Sequence, residues 1–208
     1  MNQDPISITT ATYDAIADVF AERWQKRGGI AADVVRFAEL LPQGSLVCDV
    51  GCGSGFDTAV LRKKGLTAIG LDRSWGMMQV GRTEYGLNQP FAQVDMRALP
   101  LGKTAVAGLW VCASLLHLPR EDVAPTLQNF ARVLKPGGIL YLSVKQGDDA
   151  SWLPNPYQDD LPRFFTYWQP ETLDPLLIQA GFTIIDGWEK QGSRDRWLVR
   201  FAENNRKS

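Results

Sequence analysis

The chain has 208 residues, with 22 Lys and Arg against 23 Asp and Glu, for a net charge of −1. That length suits one sizeable α/β domain. A hydrophobic share of 45% with 22% charged residues excludes a disordered or collagen-like chain, and the near-neutral balance excludes a basic nucleic-acid footprint spread over the whole protein. Three scattered cysteines, Cys48, Cys52 and Cys112, form no disulfide framework, which fits a reducing compartment. A single histidine, His117, cannot build a His-rich metal site, so no metal is expected. The first ten residues lack the features of a secretory signal, and the most apolar stretch, residues 105–116, is too short to span a bilayer. These features predict a soluble, cytoplasmic protein with no membrane partner.

In chain order, Tyr13, Ala17, Phe20, Ala21 and Trp24 recur at helical spacing, with Thr10 or Thr12 as cap and Gly28-Gly29 as stop. A second amphipathic helix carries Val34, Val35, Ala38, Leu40 and Leu41 and stops near Pro42. Residues 45–50 read as a buried strand that breaks into glycines, and residues 56–64 as a helix closed by Gly65. Residues 66–71 form a second strand ending at Asp72. A short helix over 74–81 follows, with Ser74 as its cap, then a third strand over 91–94 that ends at Asp95. A strand over 106–112, a helix over 120–134 and a strand over 139–144 come next. Residues 145–169 read as a long irregular segment, residues 170–180 as a helix, and residues 182–189 with 196–202 as a closing hairpin.

Strands alternating with helices imply a doubly wound, mostly parallel sheet covered on both faces. Ligands bind such sheets beyond the carboxyl ends of the strands. That rule selects Asp49, Asp72, Asp95 and residues 113–116. The glycines at 51, 53 and 55 allow a turn with close backbone approach. Their spacing does not fit the G-x-G-x-x-G of dinucleotide sites, which disfavours a nicotinamide oxidoreductase. Asp49 just ahead of them would repel a pyrophosphate and attract an ammonium or sulfonium.

Asp49-x-Gly51-x-Gly53-x-Gly55 resembles the first motif of class I S-adenosylmethionine-dependent methyltransferases. Gly70-Leu71-Asp72-Arg73-Ser74 is similar to the second motif, whose acid holds the ribose hydroxyls. Asp95-Met96 is similar to the pair that meets the adenine. Leu134-Lys135-Pro136-Gly137-Gly138 and Ala180-Gly181-Phe182 resemble the lead-ins to the fifth and sixth strands. The resemblance runs through nearly the whole chain. It implies a Rossmann-like α/β fold with a seven-stranded sheet in the order 3-2-1-4-5-7-6. It also implies a single domain made of an N-terminal helical lid (1–42), a cofactor-binding core (43–145) and an acceptor-side loop, helix and hairpin (146–208).

The implied cofactor is S-adenosyl-L-methionine, with S-adenosyl-L-homocysteine as product. The residues expected to bind it are Tyr13, Asp49, Gly51, Cys52, Gly53, Gly55, Asp72, Arg73, Asp95, Met96, Ala113 and Ser114. Tyr13 belongs to a segment similar to the family's lid helix. Methyl transfer depends on positioning, so few catalytic groups are demanded. His117 and Lys145 are the catalytic candidates, and a structural or cofactor-edge role is the preferred reading for His117. Lys145, Tyr157 and Arg163 are expected on the acceptor side. The acceptor is expected to be a small molecule. An RNA or protein acceptor is the alternative, supported only by Arg194, Arg196, Arg200, Arg206 and Lys207, and a binding module without catalysis is a further one.

Overall fold

The computed structural model describes residues 4–24, 30–85 and 90–206. Gly28-Gly29 and Lys207, and the side chains of Trp24 and Asp159, lie outside the described residues. The central sheet is built from β1 (Leu46–Val50), β2 (Thr67–Asp72), β3 (Phe91–Gln93), β4 (Val106–Cys112), β5 (Leu134–Lys145), β8 (Phe182–Gln191) and β9 (Arg196–Asn204). Its order is β3-β2-β1-β4-β5-β9-β8. Counting only these strands, that is the expected 3-2-1-4-5-7-6. The first five are parallel, and β9 runs antiparallel between β5 and β8.

Two apolar layers cover the sheet. On one face α3 (Ala31–Glu39) and α4 (Phe56–Lys63) contribute Phe37 and Leu61 against Trp110, Tyr141 and Phe201. The Trp110 and Tyr141 rings stack at 3.7 Å. The buried Asp33 carboxylate accepts from the Tyr141 hydroxyl at 2.7 Å and from Lys190 Nζ at 2.8 Å, which ties α3 to β5 and β8. On the other face α6 (Arg120–Val133) and α7 (Pro170–Gln179) bury Leu127, Phe130, Leu173 and Leu177.

Two segments depart from the sequence reading. The irregular segment contains a hairpin: β6 (Ala150–Asn155) pairs antiparallel with β7 (Gln158–Thr166) in a sheet of its own. Pro154, Pro162 and the run Asp159-Asp160 interrupt the alternation that marks a strand. The turn is Pro156-Tyr157, held by Asn155 Oδ1 accepting from the Tyr157 N–H at 3.0 Å. The N-terminal helix also starts earlier than expected. Neither Thr10 nor Thr12 caps it. α1 (Pro5–Ala15) begins after Asp4, whose side chain accepts from the Ile6 N–H. It breaks at Ile16, and α2 (Ala17–Trp24) follows. The β-branched run from Ile6 to Thr12 has poor helix propensity. Tertiary bonds hold it instead: Thr12 Oγ1 donates to the Pro162 carbonyl at 2.7 Å, and the Phe164 N–H donates to Thr9 Oγ1 at 3.0 Å.

The helix after β2 is α5 (Trp75–Tyr85), longer than the short helix expected. Ser74 caps it as anticipated, its Oγ accepting from the Met77 N–H at 3.1 Å. Gly81 sits inside α5 where a Cβ would overlap the Ser54 carbonyl of the glycine turn. Gly→Ala in a helix interior normally stabilises by roughly 0.5–1 kcal/mol. Gly81→Ala should instead destabilise by about 1–3 kcal/mol, the range for forced overpacking. Urea denaturation checks the sign, and a stabilised variant would show that α5 does not press on the turn.

Candidate active site

A cavity of about 270 Å³ opens at the carboxyl ends of β1, β2 and β4. One end is formed by Gly51, Cys52, Gly53 and Ser54, by Asp49 and Asp72, and by Asp95 with Met96 after β3. The three motif glycines all have positive φ, between 55° and 81°. They do different work. A Cβ on Gly51 would collide with Ser114, and one on Gly55 with the Phe91 ring, whereas one on Gly53 would meet only Met77. Gly53 is thus the position where bare backbone faces the cavity. Gly55, expected to bind cofactor, does not line it and instead starts α4.

The Asp72 carboxylate accepts from the Gly53 N–H at 2.7 Å and from the Ser74 N–H at 2.7 Å. It joins the glycine turn to the start of α5. Desolvation raises its pKa, and these N–H groups oppose the rise. Asp49 is buried and accepts from Thr58 Oγ1 at 2.6 Å. Burial, and then the charge of Asp57, pushes its carboxyl well above the usual range. Among the described residues no cation lies within ion-pair distance of Asp49 or Asp72. Buried acids without a cation fit a ligand that brings an ammonium, a sulfonium and hydroxyls. The residues present therefore suit S-adenosylmethionine.

Asp95 is placed at the cavity edge but is already engaged. Arg97 Nη2 donates to it at 2.7 Å, and Arg73 Nη1 lies 3.4 Å away. These cations hold its carboxyl below the usual range once desolvation is offset. Arg73, expected at the cofactor, also lines the cavity and reaches back to the lid, to Asp4 and to Ser7 Oγ. Ala113 lines the cavity with a φ of 51°, rare for a residue with a side chain. Its N–H donates to Ser143, and Ser114 Oγ donates to the Val50 carbonyl at 2.6 Å. This clips the end of β4 to β1.

The N-terminal helices and the β6–β7 hairpin form the other end. Ile6, Thr9, Thr10 and Tyr13 of α1 and Phe20 of α2 face the cavity, with Arg163 and Phe165 from β7. Asp14 fastens α1 to α5 by accepting from Ser74 Oγ at 2.6 Å and from the Gly76 N–H at 2.8 Å. His117 follows β4 in a 3₁₀ turn. Its Nδ1 lies 2.7 Å from the Phe164 carbonyl, so Nδ1 carries the proton and Nε2 accepts from the Tyr13 hydroxyl at 3.0 Å. Desolvation, opposed by the bond to Phe164, lowers the imidazole pKa to about 3. Arg163 Nη1 donates to the Tyr13 hydroxyl at 3.3 Å.

Lys145 lines the cavity, buried, paired with Asp195 at 3.0 Å and standing 4.1 Å above the Phe165 ring. One acceptor-side expectation is corrected. Tyr157 does not line the cavity. At the tip of its hairpin turn it packs on Phe20 and under Arg23. Sequence reasoning missed Asp195 and Trp197 of β9 and its preceding loop, and Ile6, Thr9 and Thr10 of α1. Asp4-Pro5, an acid cap followed by proline at the first helical position, was the available signal for α1. Among the described residues no group of three or more His, Cys, Asp or Glu is arranged to hold a metal ion.

Comparison with known proteins agrees with this geometry. A family model described as a methyltransferase domain matches residues 47–138. The O-methyltransferase cnsE of Penicillium expansum is 34% identical over 155 residues, which is 69% of this chain and 54% of that protein. This chain therefore spans about half the length of that curated relative. The uncharacterized methyltransferase sll0829 of Synechocystis is 30% identical over 151 residues, covering 68% of each chain. Among solved structures, the 1,6-didemethyltoxoflavin-N1-methyltransferase of Burkholderia thailandensis, with S-adenosylhomocysteine bound, superposes with a TM-score of 0.76. It shares 19% identity over 96% of this chain and 88% of that one. The [4+2]-cyclase SpnF superposes with a TM-score of 0.74, at 19% identity over 97% of this chain and 96% of its own. At such identity these structures establish the fold alone.

The buried imidazole has a consequence for stability. The unfolded chain takes up a proton on His117 near pH 6.5, whereas the folded chain refuses it until about pH 3. The folded state binds fewer protons across that interval, so this residue's contribution is present above about pH 6.5 and is lost as the pH falls toward 3. His117→Gln should lose less stability than the wild type between about pH 7 and pH 5, measured by urea midpoints. As the chain's single histidine, its NMR resonances should not titrate in that range. A titration near pH 6.5 would overturn the buried neutral assignment.

Proposed function

The chain belongs to the class I S-adenosylmethionine-dependent methyltransferases, and on that premise we propose that it transfers a methyl group to a small-molecule acceptor. One observation carries this reading: a single cavity joins the acid-and-glycine end to an aromatic, cationic end roofed by α1 and β7. Asp72 is the group for the ribose hydroxyls, since its carboxylate is already oriented by two backbone N–H donors. Gly53 allows close backbone approach, and Asp49 places a buried carboxyl beneath the glycine turn. Asp95 and Met96 border the space for the adenine. When bound, S-adenosylmethionine supplies a methyl group on a sulfonium, open to in-line attack. The protein's task is then to orient the acceptor and exclude water.

Tyr13, Arg163 and Phe165 serve the acceptor, and Lys145 with Asp195 closes the wall behind them. His117 acts by positioning Tyr13, because its one basic nitrogen is occupied by the Tyr13 hydroxyl. Two members of the C-terminal basic group are already engaged with acids. Arg196 pairs with Glu189 and Arg200 with Asp174.

Calorimetry tests the reading first. S-adenosylhomocysteine should bind and NAD should not, and the reverse result would overturn it. Asp72→Asn should weaken S-adenosylhomocysteine by about tenfold or more, the expected scale for losing a charged hydrogen-bond acceptor. Unchanged affinity in a folded variant would remove Asp72 from the ribose. A mass-spectrometric screen for acceptors that gain one methyl group separates an enzyme from a binding module. Hydrogen exchange should slow in α1 and β7 when S-adenosylhomocysteine is added, with little change in residues 139–144. Protection confined to the strand ends would mean that the roof takes no part in binding.

A further inference from the structure

Among the described residues, the roofed end of the cavity carries one cation, Arg163, that no carboxylate answers. Lys145 is balanced by Asp195 at 3.0 Å. Arg163 has no carboxylate within ion-pair distance among the described residues. Its one polar contact is the long bond from Nη1 to the Tyr13 hydroxyl at 3.3 Å. Its Nε is buried with no hydrogen-bond partner. An arginine cannot shed its proton, and a buried N–H without an acceptor is costly.

The neighbours cannot supply the missing acceptor. The polar groups form a chain in which each donates to the next: Arg163 to the Tyr13 hydroxyl, Tyr13 to His117 Nε2, and His117 Nδ1–H to the Phe164 carbonyl. The chain ends on that carbonyl and has only donors at its head. Desolvation keeps the Tyr13 hydroxyl protonated and His117 uncharged, so neither offers a negative charge. The guanidinium is held between two rings, 5.7 Å from the Tyr13 centroid and 5.3 Å from that of Phe165. Such a fork, fixed against aromatic faces, suits a planar oxyanion presented by a ligand in the cavity. Phe20, Phe165 and Trp197 supply apolar wall around it.

We propose that the acceptor carries a carboxylate, or an equally acidic oxygen, on an apolar body, and that Arg163 is the residue that selects it. This rests on the cavity being the methyl-transfer site. It adds a class of substrate to that reading: acids, in preference to amines, amides and neutral alcohols.

The test compares acids with their own primary amides. Benzoate, phenylacetate, cinnamate, hexanoate and octanoate, each beside its amide, are titrated by calorimetry into the full-length protein, with and without saturating S-adenosylhomocysteine. At least one acid should bind about tenfold more tightly than its amide, the scale of a charge-assisted bidentate pair. In Arg163→Met that preference should fall to within about twofold, and Arg163→Lys should restore part of it, since the charge returns without the fork. Amides that bind as well as the acids, a preference that survives Arg163→Met, or binding by none of the acids would overturn the proposal. Failure of S-adenosylhomocysteine to bind would instead count against the methyltransferase reading, and the acid-to-amide comparison on the free protein would still decide the role of Arg163.

Discussion

The Asp72 carboxylate is the point on which the cofactor end of the cavity depends. One oxygen holds the Gly53 N–H and the other the Ser74 N–H, so the glycine turn and the start of α5 are fixed to one side chain at the end of β2. Those two N–H groups would otherwise be orphans at a turn and a helix start. Their bonds orient the carboxylate and limit the rise in its pKa that desolvation causes. The same node reaches the lid, because Asp14 of α1 accepts from Ser74 Oγ and from the Gly76 N–H. Sheet, turn, helix and roof are thus linked through adjacent residues at one strand end.

The roof is held in place by polar bonds as well as by apolar contact. Thr9, Thr12 and His117 bond to backbone groups of Pro162 and Phe164 in β7. Arg73 reaches from the end of β2 to Asp4 and Ser7 of α1. Several of these bonds lie at partly exposed positions, where each contributes modestly and can open alone. A covering built this way closes a cavity through bonds that can open one at a time.

Charge is divided along the cavity. The buried acids Asp49 and Asp72 stand at the glycine end, and Arg163 stands at the other. Lys145 and Asp195 neutralise each other between them and the β9 edge. The neutral His117–Tyr13 pair carries no charge of its own into the space between.

Local signals in the sequence were enough for the parallel sheet, the crevice at the strand ends and the acids Asp49, Asp72 and Asp95 beside it: apolar strands bounded by turns, a glycine-rich turn, and acids at strand ends. The strand order and the parts assigned to Asp72 and Asp95 came from the resemblance of the motifs to the methyltransferase family. The sequence also marked Ser74 as a helix cap, which depends only on its near neighbours in the chain. The roof and the Arg163 end of the cavity came from tertiary structure alone. The hairpin of β6 and β7 was hidden by prolines and acids, and it forms because Thr9 and His117 supply its backbone partners from far away in sequence. Lys145 became buried because Asp195, fifty residues on, arrives on the loop before β9 to pair with it. Tyr157 was drawn away from the cavity by Phe20 and Arg23. Pairings between distant residues leave no periodicity or spacing in the sequence to read, and in this protein those pairings build the roofed end of the cavity.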